Sequence, residues 1–183
     1  TKYMTLDSIA RKNLELTETI RDRSKRGSLL WVMDKTSTSM GGRLLRRWIE
    51  KPLTEVNEIN HRLDGVAELK SSAMRRGEIT DVLKKVYDIE RLAGKVAYGT
   101  VNAKDLVALK VSLFQLPALK KLLQNSSSSI VKELYERLDT LDDVAKLIDD
   151  AIVDEPPVSV KEGGIIKLSY DEEVKKLRTA STE

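Results

Sequence analysis

Apolar residues recur three and four positions apart along most of this chain, a spacing that gathers them on one side of an α-helix and does not fit the alternation of a half-buried strand. Met40, Leu44, Leu45, Trp48 and Ile49 share such a face, which predicts a buried side with Arg43, Arg46 and Arg47 mostly opposite. Thr36–Ser39 offers capping hydroxyls ahead of that helix, and Pro52 stops it. Thr54 is placed to cap a second helix, whose buried stripe reads Val56, Ile59, Leu63 and Val66. Ile79, Val82, Leu83 and Val86 repeat the spacing. Asp88 marks a break before Ile89, Leu92 and Val96, and Gly99 closes that segment. Asn102 caps a longer helix through Leu106, Leu109, Leu113 and Leu116, which Pro117 should kink or break ahead of Leu119, Leu122 and Leu123. After the Ser126–Ser129 joint, Leu134, Leu138, Leu141, Ala145, Ile148 and Ile152 step by four and three. The seam is too short for a free-standing coiled coil and predicts a helix of an intramolecular bundle.

Three segments depart from this pattern. Leu14, Leu16, Thr17 and Thr19 alternate like a short strand. Beyond Asp154–Pro157, the run Val158, Val160, Gly163-Gly164 and Ile165–Leu168 predicts a small hairpin with the glycines at its turn. Ser169-Tyr170-Asp171-Glu172 has the form of a capping box, and Val174 and Leu177 continue a helix toward the C-terminus. The expected fold class is therefore mainly α, an irregular multi-helix bundle with long helices and a small β-hairpin or short strands. Composition agrees: 33% of residues are charged, only 4% are aromatic, and Gly and Pro are sparse. The 183 residues suffice to bury a core. Without cysteine, disulfides and thiolate metal sites are excluded, which favours a cytosolic setting. No apolar run approaches the roughly 20 residues that span a bilayer, so no membrane partner is expected. A chain that starts Thr-Lys and ends within a helical pattern reads as an excised piece.

Charge is unevenly spread. Residues 1–51 hold twelve Lys/Arg against six Asp/Glu, and residues 130–160 hold three against nine. Such poles orient a piece beside other domains or nucleic acid, or are simply two solvated helix faces. Arg21, Arg23, Lys25 and Arg26 form one basic cluster and Arg43, Arg46 and Arg47 another, either of which suits phosphate contacts. Stacking platforms for single strands are scarce, and Trp31 and Trp48 sit in apolar patterns that suggest core.

Catalytic constellations are hard to find. His61 is the lone histidine, on the polar side of its helix, and reads as a surface residue without a metal set or a Ser-His-Asp arrangement. Asp142-Asp143 and Asp149-Asp150 are candidates for a divalent cation, but they lie in a helical pattern and lack the glycine-punctuated loop calcium favours. Gly94-Lys95 is the one Gly-Lys step and lacks the rest of a phosphate-binding loop. The residues thus mark no catalytic, cofactor-binding or metal site, and no confident DNA-binding one.

Whole phrases are more specific. Tyr3-Met4-Thr5-Leu6-Asp7 followed by Arg11–Thr17, then Leu29–Thr36, Thr38–Ile49 and Pro52-Leu53, resemble the opening of the core (lever) domain, domain III, of the MutS family of DNA mismatch-repair proteins. Arg62-Leu63-Asp64, Asp88–Leu92, Asp105-Leu106, Leu116-Pro117, Asp154 with Pro156-Pro157, Gly163-Gly164 and Tyr170-Asp171-Glu172 follow in the family's order and extend the resemblance over essentially the whole chain. Ala10 stands where the family often has Thr, and Ser169 where it usually has Gly.

The resemblance implies that residues 1–183 form a single core-domain piece. This piece is the first half of the core, ending as a lever helix (about 169–183) runs toward a clamp domain outside the chain. It implies a structural role, coupling an ATPase domain to the DNA clamp during recognition of mismatched DNA, with no catalysis in the piece. The full-length protein would use ATP and Mg and would meet mismatched double-stranded DNA, its own other domains and a MutL-like repair partner. It would act as a cytoplasmic homodimer. From the residues alone, two other readings stay open: a helical nucleic-acid-binding module using the basic N-terminal third, and an independent helical interaction bundle.

Overall fold

The first amides of a helix find no partner within it, and at several helix starts here a short polar side chain accepts from one of them. In the computed structural model, which describes residues 2–180, Asp7 caps α1 (Ser8–Asn13), Ser28 caps α2 (Leu29–Met33) and Thr38 caps α3 (Ser39–Glu50). α4 (Val56–Ser71) starts at Glu55 without a side-chain cap; Thr54, one residue earlier, instead gives its amide to the Lys2 carbonyl at 3.2 Å. Ser72 caps α5 (Ala73–Leu83), Asp88 caps α6 (Ile89–Ala97), and Asn102 opens α7 (Ala103–Leu113) through a reciprocal box with Asp105. Gly99 ends α6 at φ +66°, where Thr100 N–H reaches back to the Lys95 carbonyl. The remaining helices are α8 (Leu116–Leu123), α9 (Ser129–Arg137), α10 (Asp142–Ala151) and α11 (Glu172–Ala180). The described residues are mainly helical and hold two isolated β-bridges but no sheet.

The chain forms two compact units, Thr1–Lys84 with Lys121–Arg137, and Lys85–Lys120 with Leu138–Glu183. In the first, the N-terminal segment pairs with the chain after α3 at a Tyr3–Leu53 bridge, and Leu16, Leu30 and Leu53 are buried. Residues 14–19, expected as a strand, are turns and bends after α1, with Glu15 at φ +48°. α4 packs on α9 so closely at Gly65 that a Cβ there would lie 2.5 Å from Ile130 Cγ2.

That packing overturns the expected orientation of α4. His61, Gly65 and Glu68 face α9, whereas Val56 (67% exposed), Ile59, Leu63 and Val66 (60% exposed) face outward. α3 differs in the same way. None of its residues is buried, and Leu44 and Trp48 are exposed, as is Trp31 on α2. A helix face is buried only where other elements oppose it, and α2, which packs on α3, has only five residues.

In the second unit α6, α7 and α10 enclose Leu92, Leu109, Leu113, Ala145, Ile148 and Ile152, with Leu113 and Ala145 each only 1% exposed. The chain breaks at Phe114-Gln115, and Pro117 falls in the first turn of α8, where its missing amide costs nothing. The seam expected from Leu134 to Ile152 is two helices. Leu141 N–H turns back to the Asp139 carboxylate at 3.0 Å, Leu141 takes φ +49°, and α10 begins after it. The expected hairpin is likewise absent. Val160–Glu162 form one 3-10 turn capped by Ser159, and a single Ile152–Ile166 bridge is the extent of the pairing. Consecutive glycines at φ +71° carry the chain around without matching strands on either side. Asp171, not Ser169, begins α11 by accepting from Glu173 and Val174 N–H, and residues 181–183 of the expected lever helix lie outside the described residues.

The α4–α9 crossing gives a direct test. Gly65→Ala should lower stability by about 1–3 kcal/mol, because the added methyl overlaps Ile130. Adding Ile130→Ala should return part of that loss, read from chemical unfolding midpoints. Additive losses in the double variant would contradict the packing.

Candidate functional site

Charged side chains that leave water must be paired, so the strongest local constraints lie where carboxylates and cations meet inside the fold. The first unit has one such centre. Glu68, near the end of α4, has a side chain only 9% exposed and accepts from Arg75 Nη1 at 2.9 Å, from the amides of Ser127 (3.1 Å) and Ser128 (2.9 Å), and from the Ser128 hydroxyl. Arg75 also donates to the Leu122 carbonyl at 2.7 Å and to Ser126 Oγ at 2.6 Å. One ion pair thus joins α4, α5, the end of α8 and the serine turn before α9. Burial opposes ionisation of Glu68, but the hydrogen bonds from Ser128, Arg75 and Ser127 outweigh it and hold its pKa down at about 2, against an ordinary 4.5.

His61 lies on the same face of α4. Its Nδ1 is 3.0 Å from Ser129 Oγ and its Nε2 is 3.4 Å from Glu133 Oε2. The fold therefore does bring a serine, the histidine and a carboxylate together, contrary to the surface reading. The carboxylate distance exceeds the roughly 2.7–2.9 Å of a charge-assisted bond, so the imidazole is not held as a triad base would be. Both ring nitrogens reach toward α9, and the arrangement serves to clasp α4 to it.

The acidic pairs Asp142-Asp143 and Asp149-Asp150 both lie on α10. Asp142 accepts from Thr140 Oγ1 at the start of α10, and Asp150 pairs with Lys146 at 2.7 Å. Asp149 pairs with Lys110, a lysine buried on α7. Among the described residues no three His, Asp or Glu side chains gather as a metal set. Gly94-Lys95 lies within α6, and Lys95 Nζ donates to both oxygens of Asp105 at 2.8 Å, so this step does not fit a nucleotide phosphate.

Basic clusters are partly spent within the protein. Lys25 pairs with Asp34 at 2.5 Å, and that bond, with further ones from Thr36, lowers the Asp34 pKa to about 2. Arg46 pairs with Glu50 at 2.9 Å. Trp48 is not core: its exposed ring carries the Arg62 guanidinium at 3.8 Å from its centre. No described helix is long and apolar enough to cross a membrane.

Neither Glu68–Arg75 nor Lys110 stood out in the sequence. Lys110 had a signal, since it interrupts the stripe of Leu106, Leu109 and Leu113. Glu68 had a weaker one, its helical spacing from Gly65 and His61.

Glu68 also sets an acid dependence. A carboxylate with a depressed folded pKa stabilises the fold above its unfolded pKa, and the stabilisation is lost as pH falls through the folded value. Glu68 should therefore contribute a drop of about 3 kcal/mol in the stability of the first unit between about pH 5 and pH 2. Glu68→Gln should lose a comparable amount at pH 7 and keep only the shallower acid dependence that Asp34 supplies, measured by urea unfolding. A wild-type profile as shallow as the variant's would rule this out.

Comparison with known proteins adds the family. Residues 9–181 match the family model of MutS domain III. Over 182 residues, all of this chain, it is 58% identical to the DNA mismatch repair protein MutS of Ruminiclostridium cellulolyticum. Over 183 residues it is 51% identical to that of Alkaliphilus oremlandii, and over 182 it is 53% identical to that of Acetivibrio thermocellus. The chain spans 21% of the length of each of these relatives. A family match from residue 9 to residue 181, over helices whose capped starts and ion-paired joints are structural, places the chain in the MutS domain III family.

Proposed function

We propose that the chain is the structural core and lever segment of a mismatch-repair protein. In this reading it links an ATPase domain to a DNA clamp and performs no chemistry itself. The observation that carries the reading is the uncovered apolar stripe of α4, Val56, Ile59, Leu63 and Val66, in a chain matched to domain III along nearly its whole length. A helix that turns its polar side inward and its apolar side outward is built to be covered by further protein. Close-packed helices suit a transmitting role because they shift between discrete arrangements and do not deform smoothly. ATP and Mg would be held in another domain, as the engaged Lys95 suggests. Mismatched double-stranded DNA, a MutL-like protein and a second copy of the full-length protein would be met through the assembled, cytoplasmic molecule.

The reading is tested by breaking α11 in the full-length protein. Leu177→Pro removes an amide from the interior of α11, and its exposed side chain belongs to neither core. ATP hydrolysis should persist while ATP-driven release from a mismatched duplex slows about tenfold, a coupling loss of ordinary size. Unchanged release, or ATP hydrolysis by the isolated 183-residue chain, would sink the proposal.

A further inference from the structure

Residues 154–165 of the second unit form a loop whose arms meet at one place. At the meeting point Ile152 and Ile166 form the isolated bridge, with Val153 N–H on the Ile165 carbonyl at 2.9 Å and Lys167 N–H on the Ala151 carbonyl at 2.8 Å. Pro156 is buried on the outgoing arm, and beyond it packing is thin. Val158 and Val160 are exposed, the latter at 75%, and Gly163 and Gly164 have open space where a Cβ would stand. A surface loop of this length whose ends lie close together has the form of an Ω-loop.

Charge closes its neck. Lys110 reaches from α7 with a side chain only 7% exposed, and its Nζ lies 3.0 Å from Asp149 on α10 and 2.9 Å from Asp154 on the outgoing arm. Lys167, on the returning arm, lies 3.9 and 3.8 Å from the same two carboxylates. Two cations and two anions therefore link α7, α10 and both arms. Burial would discharge Lys110, but its bonds to Asp154 and Asp149 outweigh that and keep its pKa above the ordinary lysine value. An ammonium in this position cannot lose its carboxylates cheaply, so the outgoing arm is tied to the core by the need to keep that charge paired. The returning arm leads within four residues to Asp171, which starts α11.

We propose that Lys110, Asp149, Asp154 and Lys167 form an ionic latch that shuts the neck of this loop and so fixes where α11 begins. With the latch closed, a displacement of α7 and α10 is passed on to α11. With it open, residues 153–171 become a slack tether that passes on nothing. The latch stands on the geometry alone; only its consequence rests on the lever reading above.

Amide hydrogen exchange in the full-length protein tests it at single residues. Asp154→Asn removes a carboxylate whose side chain is 76% exposed, so it leaves the apolar core in place. Exchange at the Val153 and Lys167 amides should rise about fivefold or more, while the Leu113 and Ile148 amides keep their wild-type rates. Lys110→Met, which retains the buried stem, should raise the same two amides further. Unchanged exchange at Val153 and Lys167 in Asp154→Asn would overturn the latch, and so would an equal rise at Leu113 and Ile148. If the neck amides speed up and ATP-driven DNA release is unaffected, the latch stands and the lever reading falls. If Leu177→Pro slows release but Asp154→Asn leaves the neck amides alone, the lever reading stands and the latch falls.

Discussion

Helix ends set the main constraint on this chain. The described helices run from 5 to 16 residues, so a large share of their amides and carbonyls lie in first and last turns with no partner inside the helix. Each such group must be met by a side chain, a neighbouring segment or water. Asp7, Ser28, Thr38, Ser72, Asp88, Asn102 and Asp171 meet the amides, and Arg75 meets a carbonyl at the end of α8. The interior ion pairs extend the same logic. Glu68 takes two amides of the serine turn before α9, and Asp105 both completes the box at Asn102 and holds Lys95. Polar side chains thus do much of the joining that large aromatic residues do elsewhere, in a chain where aromatics are 4%.

That economy explains which parts of the fold the sequence revealed. Caps are local chemistry within three residues, and Thr38, Asp88, Asn102 and Gly99 all stand where their neighbours require them. The stripe through Leu106, Leu109 and Leu113 was readable because α6 and α10 do oppose it. The α4 stripe misled because periodicity reports which residues share a face and says nothing of what lies across from it. Val56, Ile59, Leu63 and Val66 share a face, but α9 packs on the other one, where Gly65 permits close approach. The seam from Leu134 to Ile152 failed for a local reason: Asp139 offers the backbone a turn at Leu141, and a heptad count does not weigh that competition. The glycine pair at 163 and 164 was read by analogy with tight hairpins, yet positive φ permits many loops and selects a hairpin only when strands flank it.

The candidate site was harder to read than the fold, since its members are far apart in sequence. His61 meets Ser129 and Glu133, and Glu68 meets Ser127 and Ser128, contacts that no spacing rule anticipates. Their arrangement is cohesive, since each ties α4 to α9 or to the serine turn before it. Family membership accords with that, since what recurs along domain III here is the means of holding helices in fixed relation.

Glu68 has a consequence for how the chain is made. Its partners Ser127 and Ser128 follow it by 59 and 60 residues, and Lys85–Lys120, which belong to the other unit, are synthesised in between. At ordinary translation rates of about 5–20 residues per second, roughly 3–12 seconds pass before α9 emerges to cover the face of α4 that bears Gly65 and Glu68. During that interval α4 is an orphan on both sides, apolar on one and half-built on the other. The nascent chain is thus most vulnerable to misassociation before its second half arrives, and a variant that delays α9 would show its defect first as lost yield in the cell.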